Sequence, residues 1–458
     1  MSSAPAGNRR ALLGWAFYDF GNSAFTTIIV TFIFPIYLAN VYFGGGVETT
    51  LNTPLDTALR QTEGQVQWGK IVAYAAGLIA ISAPILGSIA DLSGRRKPWI
   101  LGFSLLCIFA TSLLFLQPDP VQFPLLLAIA FVVANYGFEM GSVFNNAQLP
   151  GLTTTDRMGR WSGWAWGLGY SGGLLCLLIC LPLVLFSESL FGDAGLGARL
   201  SFLVVAVWFA IFMLPMLMFT PDQRQGLPIG QAVSKGLGET WATAREIWGQ
   251  PNLTRFMIAR LIYNDGLVTI FSMGALFAAL RYGMDTIQII AFGILLNITA
   301  VIGSVFMARQ DDLRGKKWVL NISICLLILV FLLGLSLPYL MGGHEAALWP
   351  FVILGGALGL FVGPIQAASR SFVAVVSPPE QATRYFGFYE LTGKATAFLG
   401  PLLVSSFTLF AAQRLNGGDR EAVAARGLAL DMGMLSIPLL LLIGLITLQS
   451  VKEPKIQA

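Results

Sequence analysis

The sequence has little charge and almost no histidine. Of its 458 residues, 11% are charged and 55% are hydrophobic. Because a soluble protein has about a quarter of its residues charged, this composition excludes an ordinary soluble globular chain and predicts a membrane protein. The only histidine is His344, and the sequence has neither an H-E-x-x-H nor a G-x-x-x-x-G-K-[ST] pattern. A zinc hydrolase and a pump with its own ATP site are therefore disfavoured.

Cysteines are also few and poorly placed for chemistry. The four are Cys107, Cys176, Cys180 and Cys325, and all lie in hydrophobic segments rather than in exported loops. Cys176 and Cys180 share a helix face but lack a nearby His or carboxylate that would complete a metal site. We expect no metal, no cofactor and no nucleic-acid partner, and we expect that the protein is not an enzyme.

Long apolar runs are what the sequence has in abundance. A bilayer core of about 30 Å needs roughly 20 apolar residues per helix, and windows of this kind recur along the chain. We predict an all-α membrane protein with twelve transmembrane helices. They lie near residues 12–41, 68–90, 98–117, 121–149, 160–186, 199–219, 253–280, 286–308, 317–341, 347–376, 384–412 and 427–450.

The distribution of Lys and Arg predicts the orientation. Basic residues concentrate before the first predicted helix, in the loops after helices 2, 4, 6, 8 and 10, and in the tail. Since positive residues are retained on the cytoplasmic side, both termini are expected in the cytoplasm.

Two pairs of matching motifs indicate an internal duplication. "DLSGRRKPW" (91–99) follows predicted helix 2 and "DLRGKKW" (312–318) follows helix 8, while "RWSGWAWGLG" (160–169) and "RYFGFYELTG" (384–393) open helices 5 and 11. Corresponding loops fall on the same side, so the halves are parallel. We predict a six-helix bundle at 1–220, a cytoplasmic linker with an amphipathic surface helix at 221–252, and a second six-helix bundle with the tail at 253–458.

The segment "GSIADLSGRRK" (87–97) resembles the signature loop of the major facilitator superfamily, G-x-x-x-D-x-x-G-R-R. Glycines permit a tight turn and close helix contact, and an aspartate can accept hydrogen bonds from basic residues or helix N-termini. The resemblance implies the major facilitator fold, and a cytoplasmic gate loop that latches the outward-open state. The gate residues are Gly87, Asp91, Gly94, Arg95 and Arg96.

A closer resemblance is carried by "WAFYDFGNSAF" (15–25), "LIYNDG" (261–266) and "YFGFYELTGKATAFLGP" (385–401). Together they resemble bacterial members of the "unknown major facilitator" family, relatives of the fungal vacuolar amino-acid effluxer of autophagy. The resemblance implies a multi-pass secondary transporter of the bacterial inner membrane that works by alternating access.

Charged side chains within the predicted helices need an explanation, because each costs roughly 3 kcal/mol at the bilayer centre. Asp19 and Glu139 have no base on their own helices and are the predicted proton carriers, with a structural hydrogen-bonding role as the alternative. Asp265 is expected to be held by Arg260, Arg370 or Lys394, and the sequence does not say which.

Polar and aromatic residues at helical spacing extend this set into a predicted substrate cavity. The spacing is clearest on the first helix, where Trp15, Asp19 and Asn22 follow steps of four and three. The candidate cavity residues are Trp15, Tyr18, Asn22, Asn135, Asn146, Trp164, Arg260, Tyr263, Asn264, Asp265, Asn297, Gln366, Arg370, Tyr389, Glu390 and Lys394.

A cavity with both signs of charge suits a zwitterion or an organic ion. We predict a monomeric transporter in the lipid bilayer that moves a small polar or charged organic solute, coupled to protons, and the resemblance favours an amino acid or similar metabolite. An exporter of amphipathic drugs or lipids is the alternative within transporters. A membrane-embedded enzyme or receptor is the alternative of another class.

Overall fold

The computed structural model describes residues 8–38, 54–116, 124–222, 226–414 and 419–453, and these residues form helices, turns and bends. A helix lies in each of the apolar segments predicted above. In chain order the α-helices are α1 (Arg9–Ala24), α2 (Phe34–Tyr37), α3 (Pro54–Ser93), α4 (Lys97–Leu113), α5 (Pro124–Asn146), α6 (Leu149–Leu152), α7 (Met158–Leu185), α8 (Ser187–Phe191), α9 (Leu196–Phe219), α10 (Ile229–Gly249), α11 (Pro251–Tyr282), α12 (Thr286–Arg314), α13 (Lys316–Leu340), α14 (His344–Val376), α15 (Ala382–Lys394), α16 (Leu399–Arg414), α17 (Asp419–Met434) and α18 (Ser436–Gln449).

The lengths of these helices suit a bilayer. Within the described residues, eleven segments are long and apolar enough to cross a membrane, and α4 is a further apolar helix of 17 residues. The chain is therefore a multi-pass, all-helical membrane protein.

The first membrane segment changes its helical form partway along. After α1 the chain makes π-helical turns over Phe25–Phe32, and the N–H of Ile33 donates to the carbonyl of Ile28, five residues back, at 2.9 Å. Pro35 follows at the start of α2. Proline cannot donate a backbone hydrogen bond and clashes with the preceding turn, so it restarts the helix instead of continuing it.

The chain divides into two compact units. Unit 1 comprises Met1–Thr154, Leu168–Leu237 and Pro379–Gly387. In it α1 packs on α9, and α4 packs on α5 and α9. A Cβ on Gly172 would collide with the backbone of Phe20, so glycine is what lets α7 pack directly on α1 there.

Unit 2 comprises Thr155–Gly167, Gly238–Pro378 and Phe388–Ala458. In it α12 and α13 pack on α14, and α11 packs on α18. Stacked rings fill its interior, with centroids 3.9 Å apart for Phe256 and Phe372 and 4.0 Å apart for Tyr282 and Phe351. Unit 1 thus includes Pro379–Gly387 from the predicted second half of the chain, and unit 2 includes Thr155–Gly167 from the predicted first half.

Helix α10 occupies the predicted linker. It exposes large apolar side chains in steps of four at Ile229, Val233, Leu237 and Trp241. This stripe is the pattern of a helix that lies on a membrane surface with its apolar face toward the lipid.

Candidate functional site

The carboxylate of Asp91 lies at the centre of the predicted gate loop in unit 1. One oxygen accepts from Nη2 of Arg96 at 3.1 Å and from the N–H of Thr383 at 3.2 Å, and the other accepts from the N–H of Arg384 at 2.8 Å. Thr383 and Arg384 are in the first turn of α15, whose free N–H groups favour an anion. The prediction that Asp91 accepts bonds from basic residues or a helix N-terminus is confirmed.

Arg96 ties several backbone groups to this carboxylate. Its guanidinium donates to the carbonyls of Pro379 at 2.6 Å and Ala147 at 2.8 Å, and to Oγ1 of Thr383 at 2.8 Å. Because both members of the Arg96–Asp91 pair are buried, the pair is screened little by solvent. Arg95, the next basic residue of the motif, is exposed.

The two glycines of the motif have separate structural roles. Gly94 has φ 82°, in the left-handed region that favours glycine, and it turns the chain between α3 and α4. A Cβ on Gly87 would collide with the backbone of Thr383, so glycine lets α3 contact the start of α15.

The repeat-related loop in unit 2 has the same arrangement with different residues. Gly315 has φ 95°, and Asp312 accepts from the N–H of Arg160, in the first turn of α7, at 3.1 Å. The neighbouring Asp311 is buried, pairs with Nζ of Lys316 at 3.1 Å and accepts from the hydroxyl of Ser371 at 2.7 Å. Sequence reasoning used Asp312 to define the repeat and missed Asp311, although the adjacent pair of acids at the end of a helix was visible.

Two further acids cap the helices that follow these loops. Asp222, just after α9, accepts from the N–H groups of Arg96 and Lys97 at 2.9 and 3.3 Å. Glu453, just after α18, accepts from the N–H groups of Lys316 and Lys317 at 2.7 and 2.8 Å. Both acids therefore satisfy the otherwise unpaired N-terminal donors of α4 and α13. Sequence reasoning assigned neither role.

The predicted polar stripes of the first and fourth membrane segments meet in unit 1. The indole N–H of Trp15 donates to the carbonyl of Asn145 at 2.7 Å, and Nδ2 of Asn145 lies 3.5 Å from Oδ1 of Asp19. Nδ2 of Asn22 donates to the hydroxyl of Ser142 at 3.1 Å. Asn145, the fully buried neighbour of the predicted Asn146, is therefore a contact of Asp19 that the spacing did not select.

The other candidates of unit 1 lie along the same helices. Tyr18 is fully buried and shares a hydrogen bond of 3.0 Å with Ser104. Asn135 is buried, while Glu139 and Asn146 are half-buried.

Arg260 is the centre of a polar cluster in unit 2. It is 4% exposed, its guanidinium carbon lies 3.4 Å from the centroid of the Tyr389 ring, and Nη1 donates to the Tyr389 carbonyl at 2.6 Å and to Oγ1 of Thr392 at 2.7 Å. Its Nε is buried without a hydrogen-bond partner, and no carboxylate of the described residues forms an ion pair with it. A buried guanidinium held only by neutral groups has capacity to bind an anion.

Asp265 is not held by a base. Its Oδ1 accepts from the hydroxyl of Thr396 at 3.0 Å, and within the described part of the chain it forms no ion pair. The expectation that Arg260, Arg370 or Lys394 would hold it is wrong, because the break between α15 and α16 brings a threonine to this carboxylate. Lys394 instead lies 3.9 Å from Oε1 of Glu390 on its own helix, as the spacing predicted.

Arg370 and Tyr263 hold helices together in unit 2. Nε of Arg370 donates to Oγ of Ser162 at 2.9 Å and Nη2 donates to its carbonyl at 2.7 Å, which binds α14 to the first turns of α7. Tyr263 shares a hydrogen bond of 2.7 Å with Ser369, and Nδ2 of Asn264 donates to the Gly393 carbonyl at 3.2 Å.

Three candidates have no described side-chain contact with these clusters. Trp164 is exposed and its nearest ring partner is Trp161, at a centroid distance of 6.1 Å. Nδ2 of Asn297 donates to the Gly293 carbonyl of its own helix at 2.8 Å. Gln366 is half-buried.

A buried ion pair in unit 2 was missed. Nε and Nη2 of Arg281 donate to both carboxylate oxygens of Asp431 at 2.7 to 3.0 Å, and the hydroxyl of Tyr339 donates to the same carboxylate at 2.6 Å. Arg281 lies one position beyond the helix predicted at 253–280, and Asp431 lies within the helix predicted at 427–450. The pair links α11, α13 and α17.

With helix ends held by acids in both units, charges buried within membrane segments and an all-helical multi-pass fold, the chain resembles transporters of the major facilitator class in fold and in sequence. The fold agrees with that of the human organic anion transporter MFSD10 (TETRAN), to which the chain is similar with a TM-score of 0.68 and 15% identity over 96% of this chain and 99% of that one.

The family follows from sequence comparison. The family model described as "Vacuole effluxer Atg22 like" matches residues 7–408, and the chain belongs to this family. The MFS-type transporter YxiO of Bacillus subtilis (strain 168) is 27% identical over 394 residues, which cover 85% of this chain and 86% of YxiO. Autophagy-related protein 22 of Coccidioides immitis (strain RS) is 24% identical over 399 residues, which cover 70% of this chain and 64% of that protein.

Proposed function

We propose that the protein is a secondary active transporter of the bacterial inner membrane that moves a small organic solute bearing a carboxylate, such as an amino acid or similar metabolite. The observation that carries this proposal is Arg260, a buried guanidinium whose described partners are all neutral. A buried charge without a counterion destabilises a membrane protein, so such charges are retained mainly where they bind a ligand or an ion. A substrate carboxylate would supply the missing negative charge through charge-assisted hydrogen bonds.

One structural neighbour is consistent with the same substrate class. The family description names a vacuole effluxer, and the structural neighbour MFSD10 is described as an organic anion transporter. An exporter of amphipathic drugs or lipids would bind its cargo chiefly through apolar surface, and a buried unneutralised arginine favours a small anionic or zwitterionic solute over it.

The proposed topology has twelve membrane helices, with α4 as the third, and both termini in the cytoplasm. The two six-helix halves, 1–220 and 253–458, would alternate access to the solute. This is supported by features that recur in both halves, namely the left-handed glycines Gly94 and Gly315 and the helix-capping acids Asp222 and Glu453. Breaking and re-forming the hydrogen bonds that Asp91 and Asp312 accept from helix N-termini would accompany the change of access.

Binding is tested by a thermal-shift screen of the purified protein against amino acids, organic anions, sugars and amphipathic cations, because a ligand that binds the folded state stabilises it by mass action. Carboxylate-bearing solutes should raise the melting temperature of the wild type. In Arg260→Gln the same solutes should bind about tenfold more weakly or worse, the loss expected for a charged hydrogen bond.

Arg255→Gln is the matched control, since Arg255 lies on the same helix but is exposed. It should respond like the wild type. If Arg260→Gln keeps the full ligand response, or if only amphipathic cations stabilise the wild type, the proposed carboxylate site is wrong.

Proton coupling is proposed for Asp19 and Glu139. Both acids are half-buried, and Oδ1 of Asp19 lies 3.5 Å from the neutral amide of Asn145. A carboxyl group in such a setting can exchange a proton as its surroundings alternate between water and protein.

In proteoliposomes, Asp19→Asn and Glu139→Gln should lose accumulation of the best solute from the screen under a pH gradient, while exchange of that solute without a gradient is retained. Glu188→Gln, at an exposed carboxylate of α8, is the control and should accumulate normally. Loss of exchange as well would assign the mutated acid to binding or structure instead of coupling.

A further inference from the structure

A groove runs along unit 2 beside the place where α7 meets α12. It has a volume of about 570 Å³ and is lined by Arg160, Trp164, Val305, Phe306, Arg309 and Gln310.

The groove exists because the two helices touch through small residues. A Cβ on Gly163 would collide with Ala308, and one on Gly167 would lie 2.8 Å from the side chain of Val305. The larger side chains on either side of this close contact line the groove.

Two donors on the polar wall of the groove have no acceptor among the described residues. Arg309 is exposed and, among the described residues, has no ion pair or hydrogen bond, and the indole N–H of Trp164, 46% exposed, has no described acceptor. Arg160 is 45% exposed in its side chain, and its Nε lies 3.6 Å from Asp312. Two guanidinium groups and an indole N–H therefore line the groove together, with the Asp312 carboxylate beside Arg160.

The other wall is apolar and outward-facing. Phe306 is 66% exposed and Val305 is 44% exposed, and both lie in the candidate membrane span Ile287–Arg314. Exposed apolar side chains within a span contact lipid. They continue the groove away from the helix ends, toward the bilayer core.

The depth of the arginines matches a phospholipid headgroup. Arg309 is five residues from the end of α12 at Arg314, and Arg160 is five residues from the start of the span at Thr155. At about 1.5 Å of rise per residue, Arg309 lies roughly 7 to 8 Å from the end of α12, and Arg160, two residues from the start of α7 at Met158, lies roughly 3 Å from that start. Both arginines are therefore close to helix ends, where headgroups are expected.

We propose that this groove binds one anionic phospholipid as a bound structural lipid, in the cytoplasmic leaflet given the orientation proposed above. Arg309 and Arg160 hold the phosphate, Trp164 donates its indole N–H at the headgroup level, and an acyl chain lies along Val305 and Phe306. Arginine suits a phosphate because its planar donors bind two oxygens at once. A zwitterionic lipid would place its own cation beside two arginines, which disfavours it.

The test uses the purified full-length protein in detergent and counts bound lipids by native mass spectrometry during titration with phosphatidylglycerol or phosphatidylethanolamine. The wild type should retain one phosphatidylglycerol more tightly than the rest and show no matching phosphatidylethanolamine. Arg160→Gln/Arg309→Gln should bind that phosphatidylglycerol about tenfold more weakly, because both charged contacts to the phosphate are lost.

Arg157→Gln/Arg314→Gln is the matched control. It removes the same charge, from the last residue of α12 and the residue just before α7, but leaves the groove lining intact. It should bind phosphatidylglycerol like the wild type. Equal weakening in both double variants would mean that charge near the membrane acts without a defined site, and would overturn the proposal.

A second arm separates a lipid site from a site for free phosphate. Phosphatidylglycerol should raise the melting temperature of the wild type and of the control variant, and inorganic phosphate alone should not. Phe306→Gln should weaken phosphatidylglycerol binding while leaving both arginines in place. An equal thermal shift from inorganic phosphate, or unchanged lipid binding in Phe306→Gln, would contradict the lipid assignment.

Discussion

Arg260 and Arg281 lie on the same helix and are both buried, yet they have opposite surroundings. Arg281 donates to both oxygens of Asp431, so its charge is neutralised within the fold. Arg260 stacks on Tyr389 and donates to neutral oxygens. The first arrangement stabilises a structure, whereas the second leaves a positive charge available to a ligand.

This contrast predicts how Arg281 contributes to stability. Arg281→Gln leaves the Asp431 carboxylate buried without its counterion, and removing one partner of such a pair costs about 3 to 5 kcal/mol. Thermal unfolding of the purified protein should show a large fall in melting temperature. Arg199→Gln breaks the more exposed pair with Asp193 and should cost about 1 kcal/mol or less.

A second change separates the pair from simple packing. Tyr339→Phe removes one hydrogen bond to Asp431 and keeps the ion pair, so it should cost about 1 kcal/mol. If Arg281→Gln is no more harmful than Arg199→Gln, the buried pair does not stabilise unit 2 as described.

At the scale of elements, α4 and α13 begin in the same way. Each follows a glycine in the left-handed region, Gly94 before α4 and Gly315 before α13. The first free N–H groups of α4 are capped by Asp222, just after α9, and those of α13 by Glu453, just after α18. A carboxylate at this position both accepts the orphan donors and interacts favourably with the helix dipole.

Glu453→Ala should therefore destabilise the fold by about 0.5 to 2 kcal/mol, the range measured for lost helix caps. Glu453→Gln keeps an acceptor oxygen but loses the charge, so its melting temperature should fall between those of the wild type and the alanine variant. Equal melting temperatures for all three proteins would show that the cap contributes nothing measurable.

At the scale of the whole molecule, the chain uses the same device twice, once in each unit. Asp91 receives the first N–H groups of α15, and Asp312 receives an N–H from the first turn of α7. The helices that are held are the two whose opening motifs match in the sequence.

The hydrogen bonds of Asp91 to α15 and of Asp312 to α7 form two locks, one in each unit. We predict that the two locks open independently, which rates of backbone hydrogen–deuterium exchange can show. Asp91→Asn should raise the exchange rate at residues 382–385 by about tenfold or more. The reason is that the free energy of local opening falls by about the free energy of a hydrogen bond to a charged group. Exchange at 158–161 should stay near the wild-type rate.

Asp312→Asn should give the reverse pattern, with faster exchange at 158–161 and little change at 382–385. The two variants thus serve as controls for each other. Faster exchange at both sites in either variant would mean that the locks open together, and no change at either would mean that the carboxylates do not hold these helices.

Much of the site could be read from spacing on single helices. Steps of three and four residues placed Trp15 and Asp19 on one face, and they paired Glu390 with Lys394. The acceptor role of Asp91 followed from a motif whose chemistry is local. Spacing did not find Asn145 as a contact of Asp19, because that contact depends on how two helices pack against each other.

The sequence by itself determined the class of the protein, since scarce charge and repeated runs of about 20 apolar residues leave a chain no stable fold but membrane helices. It also determined the duplication, because matching motifs are a property of the chain alone. Only the tertiary structure decided the partners of the buried charges. Asp265 received Thr396, Asp431 received Arg281, and Arg260 was left with neutral groups. Those pairings join residues about 130 to 150 positions apart, and such contacts depend on how helices pack, which no periodicity within one helix encodes.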